Sequence, residues 1–272
     1  MNLSVGGGRV EEALRMVDRQ LSKGNFKLSL SLLRHPSPPA LFRFAAAKQV
    51  PRRVSSVEQL HLSVTETSTL HSLLDAILHS IQLSNLFTSG QDNDDIVQHK
   101  QVVQHEAGHF LVGYLLGVLP KHYTFSTMED KTADAHVKFL GFEFLKELED
   151  VALSNKNSHE IKAGHRARKR KLSSTVLSKF ACVIVGGLVA EHLAFGNSKG
   201  HYGDVEKLNR VLKWQRLTED EANNLTRWAV LNTLTILHRH TKARSKLAEA
   251  LLHGRSIGNC IHVIEANLNH PI

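Results

Sequence analysis

Cysteine is scarce in this 272-residue chain, where Cys182 and Cys260 are the only two. Two thiols cannot build the disulfide framework of a small secreted domain, so a reducing compartment is the expected setting. Long apolar runs are missing as well. The longest, Phe110–Leu119 and Ala181–Ala190, are interrupted by glycine and reach about half of the roughly 20 residues that a spanning helix needs. A membrane-spanning segment is therefore not expected, while association with a membrane surface stays open. The N-terminus lacks the apolar core of a signal peptide, and Glu11, Glu12 and Asp18 do not suit an acid-poor transit sequence. Zinc-finger spacing, RNA-binding signatures and Arg–aromatic interleaving are absent too. The formal net charge is +8, but much of the basic character is local to His165–Lys171. A solvated loop accounts for such a run, and no nucleic-acid partner is expected. No internal repeat and no Ser-His-Asp or Cys-His nucleophile signature is found.

What is present points to a folded chain. Hydrophobic residues make up 42% and charged residues 22%, which suits one large or two small domains and argues against disorder. Residues 1–9, with Gly6-Gly7-Gly8, read as a tail. Val10, Leu14, Val17 and Leu21 then recur at helical spacing over Val10–Ser22, Gly24-Asn25 forms a stop, and Phe26–Leu33 makes a second helix. The pair forms a hairpin for packing or partner binding, ended by Pro36, Pro38 and Pro39. Leu70–Leu83 is again helical. Thr88–Asp95 is rich in Ser, Gly, Asp and Asn and reads as a linker. This divides a helical region, 1–88, from a second domain, 96–272, across 89–95.

In the second domain, Ile96–Leu119 is helical by pattern and closed by Pro120. Tyr123–Thr127 and Ala135–Phe144 carry strand-like stretches around a polar turn at Glu129–Asp134. Leu145–Ser174 reads as an exposed insertion, and Thr175–Phe195 as one strongly apolar helix. A turn over Gly196–Gly203 precedes helices at Asp204–Leu217, Asp220–His240, Thr241–His253 and Gly258–Leu268. The fold class is mainly α with a small β-sheet. Trp214 and Trp228 read as packing residues, Cys182 as buried and inert, and His136, His159, His165 and His201 as surface histidines.

One segment carries chemistry: His105-Glu106-Ala107-Gly108-His109, an H-E-x-x-H on a helix. Residues four apart lie on one helical face, so both imidazoles can grip one zinc ion, and Glu106 can serve as general base. Ala107 and Gly108 are small and leave room near the metal. With 18 histidines in the chain, composition alone yields such a match about 0.07 times. A catalytic zinc needs a third protein ligand and one open position. Glu191, Asp204 and Glu206 are the acidic candidates. Glu191 lies in an apolar helix, where an unpaired charge is costly, and Asp204 also fits a helix N-cap. Chemistry alone does not choose among them.

In this order, the H-E-A-G-H segment, Gly186-Gly187-Leu188-Val189-Ala190-Glu191 and Gly203-Asp204-Val205-Glu206-Lys207 resemble the peptidase domain of the FtsH-type zinc metalloproteases. The resemblance covers roughly Val102–Leu268 and is similar in particular to a plant plastid group. It implies a helical zincin-like metallopeptidase domain, with His105, His109 and Asp204 as metal ligands, Glu106 as catalytic base and Glu191 in support. It also implies Zn²⁺ as cofactor, a chloroplast location, assembly with itself or with FtsH-type proteases, and peripheral membrane association. G-x-x-x-x-G-K-[ST] occurs nowhere in these residues, so no ATPase module is encoded in them. The expected activity is endopeptidase cleavage of unfolded or exposed protein segments, with a strand near Ala135–Phe144 available to pair with extended substrate. The alternative is a proteolytically inactive scaffold docked on a larger protease or membrane complex.

Overall fold

Apolar side chains on every face of one stretch decide the architecture. Val103, Ala107, Phe110, Leu111, Val112, Tyr114, Leu115, Leu116 and Leu119 are all buried, and a helix that is apolar all round has to be enclosed. The structure, a computed structural model, describes residues 4–34, 42–49, 55–86, 95–124, 136–148, 171–198 and 202–268. In chain order the elements are α1 (Ser4–Ser22), α2 (Phe26–Arg34), α3 (Val64–Leu86), α4 (Asp95–Leu115), β1 (Pro120–Thr124) and β2 (His136–Phe139). They continue with α5 (Ser174–Ile184), α6 (Gly186–Phe195), α7 (Tyr202–Trp214), α8 (Glu219–Arg239), α9 (Thr241–Leu252) and α10 (Ile257–Asn267). The enclosed helix is α4, with α5, α6, α8, α9 and both strands packed around it. The protein is mainly helical with one small sheet, as the periodicity predicts.

Helices α4 and α6 cross backbone to backbone at glycine. A methyl group on Gly108 would overlap the Gly186 carbonyl oxygen and stand 2.6 Å from the Ala190 Cβ. The space at Gly108, expected to leave room near a metal, is instead filled by α6. The single apolar helix expected over Thr175–Phe195 is instead two, α5 and α6, broken at Val185 (φ −84°, ψ −2°) beside this crossing. By length and composition, Ser174–Phe195 could cross a membrane, which a count of uninterrupted apolar runs did not reveal. Of its most apolar window, 72% is buried inside the protein, as in the core helix of a folded domain.

Other boundaries differ for local reasons. Helix α4 stops at Leu115, short of Pro120, because Gly117 turns left-handed (φ 73°) and the Val118 N–H reaches back to the Gly113 carbonyl at 2.8 Å. Pro120 opens β1 instead. Helix α3 starts six residues before Leu70: Ser63 and Glu66 cap one another, backbone N–H to side chain, at 3.1 and 3.3 Å. Residues 4–9, read as tail, belong to α1, since a helix nucleated downstream extends at one hydrogen bond per residue. The strands pair antiparallel, with Tyr123 opposite Val137 and Thr124 opposite His136. Phe144, expected in a strand, lies in a short helix over 144–148 and stacks on Trp214 with ring centroids 6.1 Å apart. Residues 35–41, 87–94, 125–135, 149–170 and 199–201 lie outside the described residues. With them go the linker, the 129–134 turn, most of the insertion, and His159, His165 and His201.

The N-terminal helices join the same core as α4: Leu14, Val17, Leu33, Leu70, Leu74 and Ile77 cluster with Phe110 and Leu111. Helix α3 packs on α6, α7 and α8, and α1 packs on α10.

Candidate metal centre

Polar residues on an enclosed helix must find partners, and α4 carries His105, Glu106 and His109, all buried. Each is held from a different element. The His109 Nδ1–H donates to the Val183 carbonyl on α5 at 2.7 Å. A carbonyl only accepts, so Nδ1 carries the hydrogen and a neutral ring keeps its lone pair on Nε2. The His105 Nδ1–H donates to Glu191 Oε1 on α6 at 2.5 Å, which leaves the second imidazole in the same tautomer. Gly187 makes this placement possible, because a methyl group there would overlap the His105 ring.

The two Nε2 atoms stand 2.9 Å apart. Asp204, in the first turn of α7, places its Oδ2 at 2.8 Å from His105 Nε2 and 2.9 Å from His109 Nε2. Three lone-pair atoms therefore converge on one point, and a carboxylate or carbonyl behind each imidazole fixes its orientation, the arrangement that supports metal-ligating histidines. Such a set needs a cation at its centre, either a metal ion or a proton. The charges show the same demand. Burial opposes a charge on His105, yet its hydrogen bonds to the Asp204 and Glu191 carboxylates raise its pKa well above the usual imidazole range. Burial alone would raise the Asp204 carboxyl, but the charges and hydrogen bonds of His109 and His105 hold it well below the usual carboxylate range.

Glu106 lies beside them, with a carboxylate oxygen within 4.8 Å of a ring nitrogen of each histidine. Its Oε2 accepts the Val137 N–H of β2 at 2.8 Å. Burial pushes its pKa up, against the pull of the two imidazoles. The His105–Glu106–His109 cluster could hold a metal ion, and Asp204 adds a fourth group.

The residues singled out from sequence thus fall into two sets. His105, Glu106, His109, Asp204 and Glu191 are brought together. Glu206, one of the three acidic candidates, is not: it points outward with its side chain 62% exposed and pairs with Arg210. Asp204 is no N-cap, since it stands inside α7. His136 sits on β2 with its Nδ1 at 3.3 Å from the Thr124 hydroxyl. Sequence reasoning missed Val183 and Val137, and it quoted Gly187 and Lys207 within motifs without giving either a role; Lys207 Nζ donates to Asp204 Oδ1 at 3.2 Å. For Lys207 the readable signal was the i,i+3 spacing of an Asp–Lys pair on one helix. Val183 and Val137 act through backbone atoms, which leave no mark in residue type.

Fold and site together define a mainly helical protein with a buried cluster able to hold a metal ion. No protein-family model, no curated protein and no solved structure matches the chain.

Proposed function

We propose that the chain is a zinc-dependent metalloendopeptidase that cleaves unfolded or exposed protein segments. The observation carrying this reading is the meeting of His105 Nε2, His109 Nε2 and Asp204 Oδ2 within 2.9 Å of one another, with the Glu106 carboxylate alongside. Ligand atoms around tetrahedral zinc stand about 3.3 Å apart, so a small opening of this triangle fits the ion. Two nitrogens and one carboxylate oxygen also suit zinc chemically and leave a fourth position open.

When bound there, zinc supplies Lewis acidity to a carbonyl oxygen and to water. The protein's own groups do the rest. Val183 and Glu191 keep both imidazoles in the ligating tautomer. Glu106 is anchored at Oε2 by Val137, and its other oxygen, Oε1, takes a proton from the attacking water and returns it to the leaving amide nitrogen. A carboxyl raised by burial is suited to hold that proton between the two steps. The strand considered for pairing with substrate is β2, and one donor of it, the Val137 N–H, is already given to Glu106. Chloroplast location, assembly with FtsH-type proteases and peripheral membrane association rest on the motif resemblance alone.

The test is to count zinc per chain and to follow cleavage of an unfolded fluorescent casein. About one zinc per chain is expected, with chelator-sensitive cleavage. Glu106→Gln should keep the zinc and lower the rate by about 10²–10⁴-fold, while Asp204→Asn should weaken zinc binding. Zinc retained by a chain that cleaves nothing would select the inactive scaffold, and a chain that takes up no zinc would end both readings.

A further inference from the structure

The two oxygens of Asp204 face different partners. Oδ2 meets the two imidazoles, and Oδ1 accepts from Lys207 Nζ at 3.2 Å. Lys207 lies one turn along α7, on the same face as Asp204. The carboxylate is 10% exposed and the lysine side chain 45% exposed, so the ammonium approaches from the solvent side. A carboxylate can bind a cation through one oxygen or two. The two-oxygen mode would need Oδ1 to turn inward, and it would crowd the coordination position that a substrate carbonyl must use. A charge-assisted hydrogen bond on Oδ1 opposes that rotation. Lysine suits this task better than arginine. Its ammonium is a point charge that engages one oxygen, whereas a guanidinium fork takes both oxygens of a carboxylate and would draw Oδ2 off the imidazoles.

We propose that Lys207 is a positioning residue that restricts Asp204 to a single ligating oxygen and so keeps one coordination position of the metal open. This rests on the metal-site reading above, and its test separates the two. Cobalt(II) is the probe, because its visible absorption weakens severalfold when a fifth ligand joins four. The wild-type chain should bind cobalt(II) with the intense four-coordinate spectrum. Lys207→Met should still bind it but show the weaker five-coordinate spectrum. Lys207→Cys should behave like Lys207→Met, and alkylating it with bromoethylamine, which restores an ammonium at that place, should bring back the wild-type spectrum. The native thiols do not interfere, since Cys182 and Cys260 are fully buried and burial pushes both up to about 12. A wild-type spectrum in Lys207→Met would overturn the positioning role and leave the metal site standing. No cobalt uptake by the wild-type chain would overturn both.

Discussion

Gly187 illustrates how tightly single residues govern the site. The His105 ring lies where a side chain on Gly187 would be, so even one methyl group must push the imidazole off Asp204 or Glu191. Gly187→Ala is expected to retain the helical circular dichroism and to lose metal affinity by about 10–100-fold, as when a ligand's orienting contacts are removed. Competition with a fluorescent chelator measures this, and unchanged affinity would show that the ring tolerates the shift. Gly186-Gly187 was visible in the sequence as part of a motif. Its physical reason was not visible, because a glycine makes the same mark whether it serves a turn, a helix crossing or a neighbouring ring. Gly187 serves His105 and Gly186 serves α4.

At the scale of elements, the α4–α6 crossing sets the distance between the imidazoles and Glu191. Gly108→Ala inserts a methyl group against the Gly186 carbonyl and the Ala190 Cβ, and overpacking of this kind costs about 3 kcal/mol. A fall of the urea midpoint together with loss of metal binding is the expected result, and a change below about 1 kcal/mol would mean that the helices part easily. A second junction joins the ends of the chain. Asp18 on α1 accepts the Gly258 N–H at 2.7 Å and the Ser256 hydroxyl at 2.6 Å, and so caps the start of α10 from outside. Asp18→Ala should cost about 1–2 kcal/mol, the range for a lost cap, read from urea unfolding of the full chain. Helix periods were legible here to within a few residues, while ends set by tertiary contact were not. The Ser63–Glu66 and Thr218–Glu221 capping boxes were written in the sequence and mark two starts that apolar spacing places late or only approximately.

For the whole molecule, distant segments are tied by partly buried polar groups. Arg43 donates to Glu265 through its backbone N–H at 2.7 Å and through Nε at 3.2 Å, and the Tyr114 hydroxyl donates to the same carboxylate at 2.6 Å. Nearby, burial, helped by the charges of Arg239 and Arg43, pushes the half-buried His240 from 6.5 down to about 4. Between these two values the unfolded chain takes up the proton more readily than the folded one. The contribution of His240 is therefore complete above pH 6.5 and is lost as the pH falls towards 4. Urea midpoints measured across this window should decline with acid, and His240→Asn should flatten that part of the decline. An identical slope in both proteins would place the loss elsewhere.

Local spacing was enough to determine the helical class and the pair of histidines four apart with a glutamate between them, because helical geometry alone puts residues four apart on one face. Residue chemistry left Asp204, Glu191 and Glu206 open; the motif resemblance singled out Asp204, and the tertiary structure shows that it alone of the three faces both imidazole Nε2 atoms. The three carboxylates differ little as residues, and what separates them is direction: Asp204 faces both Nε2 atoms, Glu191 stands behind His105, and Glu206 faces solvent. Direction comes from how α6 and α7 pack against α4, through contacts between residues some eighty to a hundred positions apart, which no local pattern encodes.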